Sequence, residues 1–423
     1  MRCLIKRAIV IDPASSLHRK TADLSVENGV LRLAGSAPAS EADLVIEEEG
    51  LMVSPGWLEA GAYVGDPGME HREDLHSLRE AAAAGGYSTV AIWPNTLPPI
   101  ESKADVHYVL RQNAGKAVEV LPIGALSAKC EGKTLTEMID MHTAGAVAFS
   151  DGLFPLQDGG LFLRALQYTK LFDGLVLNTP LDLNVAAGGQ MHEGVMSTSL
   201  GLRGLPSLAE ELMVHRDLEI LAYAGGRLHL HGISAAGSIE QIRAAKKQGL
   251  RVTASVPVLN LVFTDQALLQ FDSNFKVQPP LREESDRQAL LRALADGTID
   301  FIYANHVPLD TEAKDLEFPY AEFGAIGLET AFALCRTYLA DALPLDQLVR
   351  LLSINPRKVL GLDPAVIEDG APANLTLFHP DKEWVYDERS IHSKSRNSPL
   401  IGHTLRGKPM GVVRGNQIRT FFQ

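Results

Sequence analysis

GWLEAGAYVGDPGMEHREDLHSLREAAAAGGYSTVAIWPNT, residues 56–96, contains a strand, a helix and a second strand in order. The apolar run VSPGWLEAGAYV (53–64) leads into a polar turn, and REDLHSLREAAAAGG (72–86) then repeats with helical spacing until a Gly-Gly pair stops it. STVAIWPN (88–95) is apolar again. A helix between two apolar strands is the crossover of a parallel sheet, because parallel neighbours cannot be joined by a tight turn.

The alternation continues along the chain. Further strand candidates are AVEVLPIGAL (117–126), AGAVAFSDG (144–152), GLVLNTP (174–180), RLHLHGIS (227–234), LRVTASVP (250–257) and IDFIYANHVP (299–308). Helical stretches such as SLAEELMVHRDLEILAYAGG (207–226) and SIEQIRAAKKQG (238–249) end in glycine, the residue that tolerates the left-handed turn closing a helix. Eight strands, each followed by a helix or a long connection, predict an α/β fold with a (β/α)8 TIM-type barrel over 54–362. The flanks, 1–53 and 363–423, read as strand-and-turn sequence: LIKRAIVID, LSVENGVLRLAG, ANLTLFHP, KPMGVVRGNQIRTFF. Each is too short for a sheet core alone, so the two ends are expected to pair into one small β-sandwich domain. The polar stretch 309–326 is expected to be either a disordered surface loop or a lid or partner-contacting segment.

Composition narrows the class. The chain has 423 residues, 46% hydrophobic and 22% charged, with a net charge of −13 and no basic run. Nucleic acid and anionic membrane surfaces are therefore poor partners. Cys3, Cys130 and Cys335 are too few and too scattered for a zinc pair or a disulfide framework. No apolar run approaches the roughly 18 residues that span a bilayer, and MRCLIKRAIVIDPASS lacks a signal-peptide core. A cytoplasmic location is expected.

Chemistry in such a barrel sits at the C-terminal ends of the strands, where a hydrolytic metal needs imidazoles and carboxylates supplied from several strands. At those ends the ordered blocks EHREDLHSLREAAAAGGYSTVAIWPNTLP, FKVQPPLREESDR, SINPRKVLGL, GAPANLTLFHPDKEWV and KSRNSPLIGHTLRGK resemble the dihydroorotases of the amidohydrolase superfamily, over nearly the whole chain. The resemblance implies zinc, a His-x-His-x-Arg-(Asp/Glu)-Pro-Gly turn after the first strand, a bridging carboxylate or carbamylated lysine after the fourth, histidines after the fifth and sixth, and Thr-Asp-His after the eighth. Matched position by position, this chain carries Gly61 and Tyr63 for the two histidines and Gly65 for the substrate arginine, ahead of an intact Asp66-Pro67-Gly68. Gly152 takes the bridging position beside Asp151, Thr179 and Gly232 replace the next two histidines, and Asn305 replaces the aspartate. An amide cannot take up and return a proton near neutral pH. No catalytic residue, no metal ligand and no bound cofactor is therefore expected.

Asn95, Gln278 and His306 match positions where the family touches its pyrimidine substrate, and are the candidates for residual ligand contacts. His229 and His231, two apart on the sixth strand, face one way and are expected to be a satisfied structural pair. Arg282 is expected to brace the barrel, and His71, His76, His192 and His215 to lie at the surface. The resemblance extends to inactive dihydroorotase-like chains that associate with the aspartate carbamoyltransferase catalytic subunit, implying a homodimer within a larger hetero-oligomer of pyrimidine biosynthesis. The connections after strands four and eight are the expected contact surface. Two alternatives stay open. One is a divergent amidohydrolase, acting on dihydroorotate or another cyclic amide with an altered or absent metal site, through His306, Asp151 or the His229/His231 pair. The other is a pyrimidine-sensing subunit.

Overall fold

The computed structural model describes residues 2–33 and 42–422. Ala34 and Gly35, the end of one expected strand-and-turn segment, lie outside the described residues. The barrel is present, with strands at Trp57–Ala62, Tyr87–Ile92, Glu119–Pro122 continuing in Gly124–Ala125, Phe149–Ser150, Leu175–Asn178, Arg227–Leu230, Val252–Pro257 and Phe301–Tyr303. Neighbours pair in parallel in chain order. The first and eighth strands are joined by the Tyr63 N–H donating to the His306 carbonyl at 2.9 Å, and by the Ala304 N–H donating to the Glu59 carboxylate at 2.9 Å. Burial pushes that Glu59 carboxyl up to about 8, so a largely protonated side chain helps to close the ring.

Alternation along each strand sends every second residue inward. Leu58, Ala60, Ala91, Leu121, Ile123, Ala148, Leu175, Leu177, Phe301 and Tyr303 make up this inner core. On the outer side, helix Leu75–Ala84 starts at Asp74, whose carboxylate accepts the N–H groups of His76 and Ser77. Its buried Ala81, Ala82 and Ala83 let the helix lie close on the strands.

The two chain ends meet in one mixed sheet, the form taken by the expected sandwich. Among the described residues it has eight strands, the N-terminal ones running from Arg2–Val10 to Met52–Pro55 and the C-terminal ones being Asn374–Val385, Thr404–Arg414 and Gln417–Thr420. Met52–Pro55 pairs with Asn374–Val385, stitching the ends together. Trp57 ties this sheet to the barrel: it is fully buried, its ring lies 4.7 Å from Phe332 and 5.4 Å from Phe378, and its indole N–H donates to Ser54 Oγ.

The stretch 309–326 is not a loose loop. Two buried amines tie it down, Lys314 donating to the Glu322 and Gly324 carbonyls and Lys276 to those of Phe318 and Pro319. Arg72 reaches across from the first connection to Asp310 and, with both terminal nitrogens, to Glu322 at 3.1 Å. Polar composition suggested disorder there, but charged side chains supply the anchoring. No helix among the described residues is long and apolar enough to cross a membrane.

Candidate functional site

A cavity of about 410 Å³ opens at the C-terminal mouth of the barrel. Three connections build it: Leu153–Pro155 after strand four, the 181–189 loop after strand five, and Phe323–Gly324 after strand eight. The strand-five connection folds over the rim because Leu181 and Ala186 pack against Leu205 and Ala209, and because Met191–His192 pairs with Gly204–Leu205.

The positions that the resemblance gave to metal ligands are filled from behind. Gly61 has φ +120°, and a Cβ there would lie 2.5 Å from the Trp93 ring and 3.1 Å from His231 Nε2. At Gly232 a Cβ would lie 2.8 Å from the Tyr303 hydroxyl, and at Gly152 it would overlap Asn95 Oδ1. The missing side chains have therefore not left a gap: Trp93, Tyr303 and Asn95 stand against the bare backbone. Tyr63 is buried but does not line the cavity; the ring beside Gly61 belongs to Trp93.

Of the remaining sequence-selected residues, Thr179, Gln278 and Asn305 line the cavity together. Thr179 donates to the Gly152 carbonyl at 3.1 Å, and the Asn305 amide to the Gln278 carbonyl at 3.1 Å. Gly65 lies under the first turn, its N–H donating to the Glu73 carbonyl at 2.9 Å. Asn95 spans the fourth strand end, donating to the Asp151 carbonyl and accepting from the Leu153 N–H, both at 3.0 Å. Asp151 turns away from the mouth and receives the Ser127 N–H and hydroxyl, which fixes the loop after the third strand. His306 is fully buried outside the cavity lining, with Nδ1 accepting from the Gly327 N–H and Nε2 3.4 Å from the buried Glu73 carboxylate.

His229 and His231 are fixed by strand seven. His229 Nδ1 is 2.9 Å from Thr253 Oγ1 and its Nε2 3.0 Å from Ser255 Oγ, while the same Ser255 oxygen is 3.0 Å from His231 Nδ1. His229 is thus satisfied at both nitrogens. His231 is satisfied at one only: its Nε2 is buried without a partner, and its ring packs edge-on to Trp93. Burial pushes His231 down to about 3 and His229 well below its usual range, so both rings are neutral at pH 7.

Arg282 is the brace expected of it. It donates to Ser234 Oγ, Ser207 Oγ and the Glu210 carboxylate, with both charged partners about 2% exposed. His71, His76 and His215 are exposed, but His192 is not. It packs within 3.1 Å of Arg282, and burial plus that guanidinium push it down to about 4. The short strand pairing that buries His192 left no mark in the hydropathy pattern.

Zinc would need a cluster of imidazole and carboxylate donors. The residues at the mouth do not fit one: the ligand positions hold glycine, tyrosine, threonine and asparagine, and no group of three His, Cys, Asp or Glu among the described residues could grip an ion.

Residues 50–238 match the dihydro-orotase-like family and residues 183–395 the amidohydrolase family. The chain belongs to the dihydroorotase-like amidohydrolases. It is 41% identical to a dihydroorotase of Syntrophus aciditrophicus over 98% of both chains. It is 40% identical to a dihydroorotase of Pelotomaculum thermopropionicum, covering 99% of this chain and 98% of that one. Among solved structures, the L-hydantoinase (dihydropyrimidinase) of Arthrobacter aurescens superposes with a TM-score of 0.86 at 22% identity, covering 100% of this chain and 97% of that one, a likeness of fold.

Two expectations follow. Gly61→His forces a side chain into a left-handed backbone and against Trp93, which should lower stability in urea unfolding by about 2–5 kcal/mol. Trp93→Ala in the same chain should recover at least about 1 kcal/mol as non-additivity, and strict additivity would contradict the contact. The second concerns acid. A histidine whose folded pKa lies below its unfolded value contributes stability above the unfolded pKa, near 6.5, and loses it as pH falls toward the folded value. His231→Phe should therefore lose less stability than the wild type between about pH 6.5 and 4, by up to about 1.4 kcal/mol per pH unit.

Proposed function

We propose that this chain is a non-catalytic member of its family, a dihydroorotase-fold subunit that acts through its surface as an assembly partner of the aspartate carbamoyltransferase catalytic subunit in pyrimidine biosynthesis. One observation carries the reading: the strand-end positions for metal and base hold Gly61, Tyr63, Gly152, Thr179, Gly232 and Asn305, and the three glycines are backed by Trp93, Asn95 and Tyr303 respectively. Returning a histidine to position 61 or 232 would require neighbouring aromatic side chains to move as well. Hydrolysis of a cyclic amide needs an activated water and a proton shuttle, and neither a carboxylate nor a charged group lines the mouth.

The proposed contact surface is formed by the connections after strands four and eight. Both expose apolar side chains: Leu153 and Phe154 on one, Leu316 and Tyr320 on the other, with Tyr320 73% exposed. A tethered backbone carrying exposed aromatics suits a protein interface, where rigid Tyr and Phe side chains bury much area at low entropic cost.

A second reading, a divergent amidohydrolase, is favoured by the relatives: full-length chains about 40% identical carry the name dihydroorotase. The two readings separate in one preparation. On the first, purified protein shows no dihydroorotate hydrolysis above buffer and recovers the transferase from its host, and alanines at Leu316 and Tyr320 weaken that recovery about tenfold or more. Turnover above buffer would establish the second reading, and a chain that never recovers the transferase would remove the partner from the first.

A further inference from the structure

At the other end of the barrel from the mouth, a pocket of about 340 Å³ opens where strands five, six and seven begin and just ahead of strand eight. Small-molecule sites typically measure about 300–1,000 Å³, so a compact metabolite fits. Leu175, Leu228, Val252 and Val359 give the pocket an apolar lining, and Arg227, Arg251 and Lys358 bring positive charge to it. In a chain of net charge −13, three cations on one small cavity run against the average field.

The bottom face of such a barrel ordinarily serves stability, and two of these cations contribute to that. Arg227 donates from its terminal nitrogens to the Asp173 and Val359 carbonyls at 3.0 and 2.8 Å, and Arg251 grips the Asp173 carboxylate at 2.7 and 3.1 Å. A guanidinium has five N–H groups, so both keep donors to spare. Both are within reach of a ligand, their side chains being 21% and 58% exposed. Lys358 is exposed on helix Asn355–Leu360, and its amine has no hydrogen-bond or ion-pair partner among the described residues. The acids nearby do not balance this set. Asp300 lines the pocket but already holds Lys246 at 2.7 Å, and Asp173 is shared by the two arginines. Four cations therefore meet two carboxylates, an excess of two positive charges. Burial holds Arg227 below the usual arginine range, with Asp173 opposing the shift and Arg251 adding to it.

We propose that this pocket binds a small phosphate monoester, its dianionic head held by Arg227, Arg251 and Lys358 and its organic part lying on Leu228 and Val252. A phosphate monoester carries about −1.5 to −2 charge at pH 7, which matches the excess, and the guanidinium fork fits its oxygens. A singly charged carboxylate or sulfate ester would leave one cation unmatched, and inorganic phosphate would make no use of the apolar lining. The pocket and the mouth lie at opposite ends of the strands. The inference therefore holds whether or not the chain hydrolyses a cyclic amide, and it does not depend on the transferase.

The test uses the full chain and three probes at one ionic strength: phenyl phosphate, its singly charged isostere phenyl sulfate, and inorganic phosphate. Calorimetry should show saturable binding of phenyl phosphate, with each of the other two at least about fivefold weaker. Lys358→Gln, at an exposed position whose amine has no partner to lose, should weaken phenyl phosphate about tenfold, and Arg251→Gln at least as much. Urea unfolding checks that both variants stay folded. Lys247→Gln removes an exposed lysine of helix Ala236–Lys247 that lies outside the pocket lining, and should leave binding unchanged. The proposal is overturned by an absence of saturable phenyl phosphate binding, by phenyl sulfate binding as tightly, or by binding that Lys358→Gln leaves unchanged. It is equally overturned if Lys247→Gln weakens binding as much as Lys358→Gln, the mark of diffuse charge attraction. Dihydroorotate hydrolysis, assayed on the same preparation, reports on the functional reading separately.

Discussion

Gly61 and Trp93 compete for one volume. The first strand reaches the mouth with a left-handed glycine, and the indole from the second strand lies where any side chain on that glycine would begin. The edge-on packing of His231 against Trp93 follows from that arrangement, and the indole becomes part of the cavity wall. A histidine at position 61 and a tryptophan at 93 in its present rotamer are mutually exclusive, because interiors are packed too densely to hold both. The same logic recurs at Gly232 against Tyr303 and at Gly152 against Asn95. Three replacements that read as independent losses along the chain are, in space, three places where a neighbouring side chain stands where a Cβ would begin.

Most of the architecture was legible in the sequence because it depends on periodicity. Seven of the eight barrel strands fall within the apolar runs that marked them and the second starts one residue early, at Tyr87, since a buried parallel strand has few other ways to be written. The terminal sheet was legible for a different reason: two short strand-rich ends must find each other to bury anything. What escaped were features set by individual polar contacts. The order of 309–326 depends on Lys276 and Lys314, one of which lies outside the segment, and composition cannot reveal a tether from elsewhere. His192 reads as a loop residue, yet a two-residue pairing with Gly204–Leu205 buries it against Arg282.

At the site, the sequence showed what is missing and could not show what replaces it. Strand-end matching named Gly61, Gly152 and Gly232, but Trp93, Asn95 and Tyr303 come from other strands, and their approach is a matter of three-dimensional packing. Tyr63, which stands at the position of a family histidine, packs outside the cavity lining. The contacts of His229 and His231 were equally hidden, because they run through the hydroxyls of Thr253 and Ser255 on strand seven and leave one nitrogen of His231 buried without a partner. The family resemblance that carried the fold so far along the chain therefore says less about the mouth, where packing between strands decides what stands beside each glycine.

The central claim is that the mouth has no donor set for a divalent cation. It is tested most directly by anomalous diffraction at the zinc edge from crystals of the full chain grown with excess zinc. The account predicts no anomalous peak among residues 61, 63, 152, 179, 232 and 305. A peak there with protein atoms at about 2.0–2.3 Å would contradict it.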